Sequence, residues 1–145
     1  LALVDQPGGV LGDGVGELNI GGDLLMQSSS IFNIELGSAS VFDLLTVTGD
    51  STLNGVLTVD LVDAYQPLIG QTFDILLTET LYGQFTSVQS LDSGYEWQVQ
   101  YILNGDGLDI VRLSAVPVPA AIWLLASGLL AVAGISRRRK GQAVC

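Results

Sequence analysis

The stretch Phe32-Asn33-Ile34-Glu35-Leu36 sets an apolar–polar alternation that recurs along the chain. Leu57, Val59 and Leu61 alternate with Thr58 and Asp60, and Phe73 and Ile75 alternate with Thr72 and Asp74. Trp97, Val99, Tyr101 and Leu103 alternate in the same way with Gln98 and Gln100. Successive side chains of a strand point to opposite faces, so a period of two collects one apolar and one polar face; a helix would need apolar residues three and four apart. Between the runs stand Gly21-Gly22-Asp23, Thr48-Gly49-Asp50, Asn54-Gly55, Gln66-Pro67, Ser93-Gly94 and Asn104-Gly105-Asp106-Gly107. Gly and Asn supply the positive φ that tight turns need, and Pro presets its own φ. Short strands punctuated this often predict an all-β body over residues 16–113. Its expected core is Phe32, Ile34, Leu36, Leu57, Val59, Phe73, Ile75 and Trp97, and replacing a turn acid such as Asp50 or Asp92 is expected to change little.

Two architectures fit this pattern: a parallel β-helix, stacked rung on rung, and an antiparallel β-sandwich or jelly roll. The runs Phe32 to Gly37, Phe42 to Gly49 and Leu53 to Val59, followed by Gly70-Gln71-Thr72-Phe73-Asp74-Ile75-Leu76 and Gly83-Gln84-Phe85, resemble the repeats of autotransporter-type passenger β-helices. That resemblance implies a β-solenoid fragment, whose earlier rungs would precede Leu1, as would an export leader. Residues 1–15 read as a flexible, glycine-rich start. Within them Gly12-Asp13-Gly14-Val15-Gly16 has neither the preceding strand nor the following helix of a dinucleotide loop.

Charge is segregated. All 15 acidic residues lie between Asp5 and Asp109, and Arg112 is the sole basic residue before Arg137. A body so acidic repels phosphates, which excludes nucleic acid as a partner. The chain has no histidine, so Ser-His-Asp and Cys-His catalysis and His-ligated zinc are impossible. Its one cysteine is Cys145, which rules out an intrachain disulfide and a thiolate nucleophile in the body. Paired carboxylates can hydrolyse glycosides, but acids scattered among turns pair by accident. Asn104-Gly105-Asp106-Gly107-Leu108-Asp109 has too few oxygen side chains for a calcium shell and reads as a hairpin turn. No catalytic residue, cofactor or metal site is expected.

The region 114–145 differs from the body. Val118 to Ile135 is uncharged for eighteen residues. As a helix it would extend about 27 Å, close to the hydrocarbon thickness of a bilayer. The seven Leu, Ile and Val residues from Ile122 onward favour insertion by about 3–4 kcal/mol. Arg137, Arg138, Arg139 and Lys140 follow as a stop-transfer cluster, and the positive-inside rule places them in the cytoplasm with the acidic body on the other side.

Val116-Pro117-Val118-Pro119-Ala120-Ala121, then the apolar run, then Arg137 to Lys140, resemble in order and spacing the PEP-CTERM domain, a sorting signal read by exosortase in exopolysaccharide-making Gram-negative bacteria. Val118 stands where the family has the Glu of its name; Val-Pro-Val-Pro-Ala-Ala is similar to a common variant. The resemblance implies recognition at Val116, Pro117, Val118, Pro119, Ala120 and Ala121 by an exosortase-like processing enzyme. It further implies an inner-membrane anchor with the body outside the cytoplasm, then passage to the cell surface or an exopolysaccharide matrix. The expected function is that of an exported structural or adhesive protein. The alternatives are a permanently anchored single-span protein with a ligand-binding ectodomain, and a polysaccharide-active β-helix enzyme fragment.

Overall fold

The computed structural model describes residues 2–4 and 15–117, and every regular element among them is a strand. The all-β class read from the alternation is what the described residues adopt. The expected span 118–135 and its basic flank lie outside the described residues; within them no helix is long and apolar enough to cross a membrane.

The strands, in chain order, are β1 (Ala2–Val4), β2 (Glu17–Ile20), β3 (Leu24–Leu25), β4 (Ile31–Leu36), β5 (Leu44–Leu53), β6 (Val56–Leu61), β7 (Thr72–Gly83), β8 (Ser87–Ser90), β9 (Tyr95–Ile102) and β10 (Asp109–Pro117). They form two mixed sheets. One has the order β1-β4-β6-β8; the other has β2-β5-β7-β10-β9, with β3 also on β5. From β3 to β8 the chain alternates between the sheets, and each return lays a strand parallel to its predecessor in that sheet. Phe32 pairs with Leu57 and Leu57 with Val88 in the first sheet; Leu18 pairs with Leu45 and Leu45 with Leu76 in the second. Antiparallel pairings flank this parallel series: β1 on β4 at one edge, and the β9–β10 hairpin following β7 in the other sheet. Ala2–Val4 thus pair with Asn33 to Ile31 from within the stretch read as a loose start, and β10 continues past residue 113 to Pro117.

The apolar members of the alternating runs from both sheets share one buried cluster. Phe32, Ile34, Leu36, Leu57, Val59, Phe73 and Ile75 are all buried in it, alongside Leu45, Val47, Val111 and Leu113. Trp97 differs from expectation: β9 lies at the sheet edge, so its ring is half-buried, packed 6.4 Å from Phe73. Leu103 also departs, because β9 ends at Ile102 and Leu103 enters the hairpin turn, 67% exposed. In β7 the alternation changes phase. Val111 faces Leu76 and Arg112 faces Asp74, so Ile75 is the extra residue of a β-bulge and both Ile75 and Leu76 are buried. Beyond the bulge the inward position falls to Thr78, whose hydroxyl accepts from Ser51 Oγ and donates to the Gly49 carbonyl, each at 2.8 Å. That pairing offsets the cost of two buried hydroxyls.

Candidate functional site

The described part of the expected sorting motif is the end of β10. Val111 to Ser114 lie between β7 and β9; Ala115 is then bracketed by Trp97 on one side and the 70–71 backbone on the other. Val116 faces Glu96 and Pro117 faces Tyr95. Both residues are extended, Val116 half-buried and Pro117 exposed. A proline fits here because a strand terminus can forgo one N–H without breaking the ladder. Val118, Pro119, Ala120, Ala121, Arg137, Arg138, Arg139 and Lys140 lie outside the described residues.

Beside this exit Tyr95 and Trp97 stack with ring centroids 6.0 Å apart, and Trp97 Nε1 donates to Ser90 Oγ at 3.2 Å. A depression of about 360 Å³ is lined by Val88, Ser90, Tyr95, Glu96 and Trp97. A larger, open cleft of about 860 Å³ lies at the opposite end, around the β9–β10 turn, with Glu79, Tyr82, Leu103, Asp106, Leu108 and Asp109 on its walls.

The acids matter more to the fold than to either depression. Asp109 Oδ2 accepts from Leu81 N at 2.8 Å and Oδ1 from Asn104 N at 2.7 Å. Asp43 is fully buried and accepts from Gly16 N at 2.7 Å and Glu35 N at 2.8 Å. Asp92 accepts from Leu61 N and Asp23 from Asp50 N, at 2.7 and 2.9 Å. Each of the four carboxylates ties itself through one of these bonds to a backbone amide 27 to 31 residues away. Asp92 is therefore not the inert turn residue expected from sequence, because the amide it caps belongs to another strand. Asp74 holds the guanidinium of Arg112 through two hydrogen bonds, at 2.6 and 3.0 Å, which raises the arginine pKa further.

This bonding limits what the larger cleft can do chemically. A glycosidase needs two carboxyl groups flanking one bond, one of them a proton donor with a raised pKa. Asp109, the buried acid of the cleft, has each oxygen on a backbone amide, while Glu79 and Asp106 are solvated. The turn between β9 and β10 is the hairpin that the Asn104 to Asp109 pattern predicts; its Asn104 Nδ2 donates to the Leu108 carbonyl at 2.7 Å. Among the described residues no group of three or more acidic or cysteine side chains is placed to hold a metal ion. Asp109→Ala would strand two amides, and about 1–3 kcal/mol for each bond to the charged group is the expected loss. Urea unfolding of the full chain in detergent, followed by far-ultraviolet circular dichroism, measures it; Asp106→Ala at the exposed turn should leave the midpoint unchanged.

Tyr101 braces the join between the sheets. Its hydroxyl accepts from Phe85 N at 3.0 Å, and burial raises its pKa against the opposing pull of that bond. No protein-family model matches the sequence, and no curated protein shows significant similarity to it.

Proposed function

We propose that this chain belongs to an exported surface or matrix protein, with residues 116–140 acting as a PEP-CTERM-type sorting and anchoring signal. The body is a short β-solenoid closed by the β9–β10 hairpin. Its work is structural or adhesive: it presents a surface and has no catalytic centre. The observation that carries the reading is the order of parts after β10. An extended Val116-Pro117 leads into an uncharged run of bilayer length and then into four consecutive cations.

The run of parallel pairings β2–β5–β7 and β4–β6–β8 favours the solenoid over the sandwich, since sandwiches are built from antiparallel sheets. Asp43 and Asp92 fit the same reading as turn staples between rungs. The engaged carboxylates of Asp109 and Asp74 weigh against the polysaccharide-active alternative.

Membrane topology tests the anchor. The full chain, expressed behind an export leader, is expected to partition with membranes, and protease added outside should remove the body. Changing Arg137 to Lys140 to Glu should scramble the orientation. Recovery of the unaltered chain as a soluble monomer without detergent would sink the proposal. In a host with an exosortase, the intact mass should correspond to loss of the helix and basic tail. Persistence of Arg137 to Lys140 there would instead favour the permanently anchored protein.

A further inference from the structure

We infer that the end of the body from which β10 departs is a lipid-contacting face, with Leu68 and Ile69 seated in the bilayer interface beside the exit of the chain. The inference rests on the reading of 118–135 as a membrane span and goes beyond it, since a span alone would leave the body without any fixed orientation.

Three turns share this end: 37–43 between β4 and β5, 62–71 between β6 and β7, and 91–94 between β8 and β9. They expose Val41 (54%), Leu68 (77%) and Ile69 (56%), and Leu91 (59%). Isolated exposed apolar residues are ordinary. Leu25, Ile31, Tyr82, Leu103 and Leu108 are likewise exposed at the opposite end, so what distinguishes this end is that the chain leaves it beside Leu68 and Ile69. The 62–71 turn is braced rather than loose. Pro67 is buried beneath it, Tyr65 Oη and Leu68 N both donate to Gln71 Oε1 at 2.7 and 3.1 Å, and Gln71 N donates to the Leu68 carbonyl at 3.0 Å. The same turn is stapled to the exit strand: Gly70 N donates to the Ala115 carbonyl at 2.7 Å and Ala115 N to the Gln71 carbonyl at 3.0 Å. Two apolar side chains are thus presented about one strand spacing from the departing chain.

Tether length selects the occupant. Pro117 to Ile122, the first of the residues counted as favouring insertion, reaches at most about 18 Å when fully extended. The interfacial zone itself takes about 5–8 Å on each side of the hydrocarbon. This end of the body therefore stays close to the bilayer. Tyr95, opposite Pro117, and Trp97, opposite Ala115, add the aromatic residues that suit an interface. The acids at this end are Glu17 and Asp63, both exposed, Glu35, Asp60 and Glu96, half-buried, Asp43, buried, and Asp92, bonded to Leu61 N. Such a surface repels anionic headgroups, so the matching surface is zwitterionic lipid.

The test uses the full chain with Cys145→Ser and one new cysteine, at Leu68→Cys, Ile69→Cys or Leu103→Cys. Each carries an environment-sensitive fluorophore and is reconstituted with the body outside phosphatidylcholine vesicles. Leu103, 67% exposed at the opposite end, is the control. Blue-shifted emission at 68 and 69, largely lost to shallow spin-labelled lipid and unaffected at 103, is the expected result. Chain that floats with the vesicles but reports water alike at 68, 69 and 103 would overturn the inference and leave the span standing. A blue shift without lipid quenching would mean that a second copy covers the face, which also overturns it. Failure of the chain to float with the vesicles would reject the span and the inference with it.

Discussion

Phe73→Ala is expected to cost about 3–5 kcal/mol, the usual range for emptying a buried aromatic site. Phe73 is essentially inaccessible, and three rings meet it edge-on: Phe42 at 5.2 Å, Tyr65 at 6.4 Å and Trp97 at 6.4 Å. Those rings come from the 37–43 turn, the 62–71 turn and β9. Loss of the ring therefore removes apolar burial together with the edge contacts, which add about 0.5–1.5 kcal/mol per pair. Collapse into the cavity is restricted, because Phe42, Tyr65 and Trp97 belong to different segments held by their own hydrogen bonds. A domain stable by about 5–15 kcal/mol would become marginal or unfold. Urea unfolding of the full chain in detergent, read by circular dichroism, gives the loss directly. Leu68→Ala, at the exposed tip, should leave that midpoint unchanged; equal effects at 68 and 73 would contradict the packing described here.

The strands were legible because burial of one face imposes a period of two, and Phe32, Ile34, Leu36, Leu57 and Val59 follow that period without interruption. Partnership was not legible in the alternation, and parallel stacking was suggested only by the resemblance to β-helix repeats. A parallel pair such as Phe32 with Leu57 leaves no local mark, because the alternation is the same whether a strand runs up or down beside its neighbour. The bulge at Ile75 was hidden for a related reason: Ile75-Leu76-Leu77 is apolar throughout, so the sequence carries no sign of where the inward phase changes. Trp97 read as core because it alternates correctly, but alternation reports which face a residue occupies, not whether its strand sits at an edge. Asp92 read as a solvated turn residue, since the amide it caps, Leu61 N, is 31 residues away. The exit site divides in the same way. Pro117 could be read as extended from its own chemistry, whereas the staple between Gly70-Gln71 and Ala115 is a tertiary contact between segments with no shared pattern.

Gly55→Ala is expected to rival the loss of Phe73, although it removes no contact and adds one methyl group. Gly55 has φ +76°, where an L-residue pays about 1–2 kcal/mol. A Cβ there would overlap the Ser30 carbonyl oxygen and lie 2.9 Å from the Gln27 carbonyl oxygen, both backbone atoms that cannot rotate aside. Moving them is costly, because this corner is where three turns are stitched. Ser30 O accepts from Val56 N at 2.9 Å, and Gly55 O accepts from both Thr86 N and Thr86 Oγ1 at 2.7 Å. Gly55 N donates to Asn54 Oδ1 at 2.8 Å within the same turn, so the turn's tie to its neighbours is the pair of bonds that Gly55 O accepts from Thr86 and the one that Ser30 O accepts from Val56 N. Overpacking of this kind adds about 1–3 kcal/mol, for a total of about 2–5 kcal/mol. Gly70→Ala supplies the control. Its φ is +87°, yet nothing lies within 4 Å of the added Cβ, so it should show the conformational cost alone. In urea unfolding of the two variants, the excess loss at position 55 measures how tightly the turns stack. Equal losses at 55 and 70 would mean that the corner yields, and that the strands rather than the turns set the spacing of successive passes of the chain.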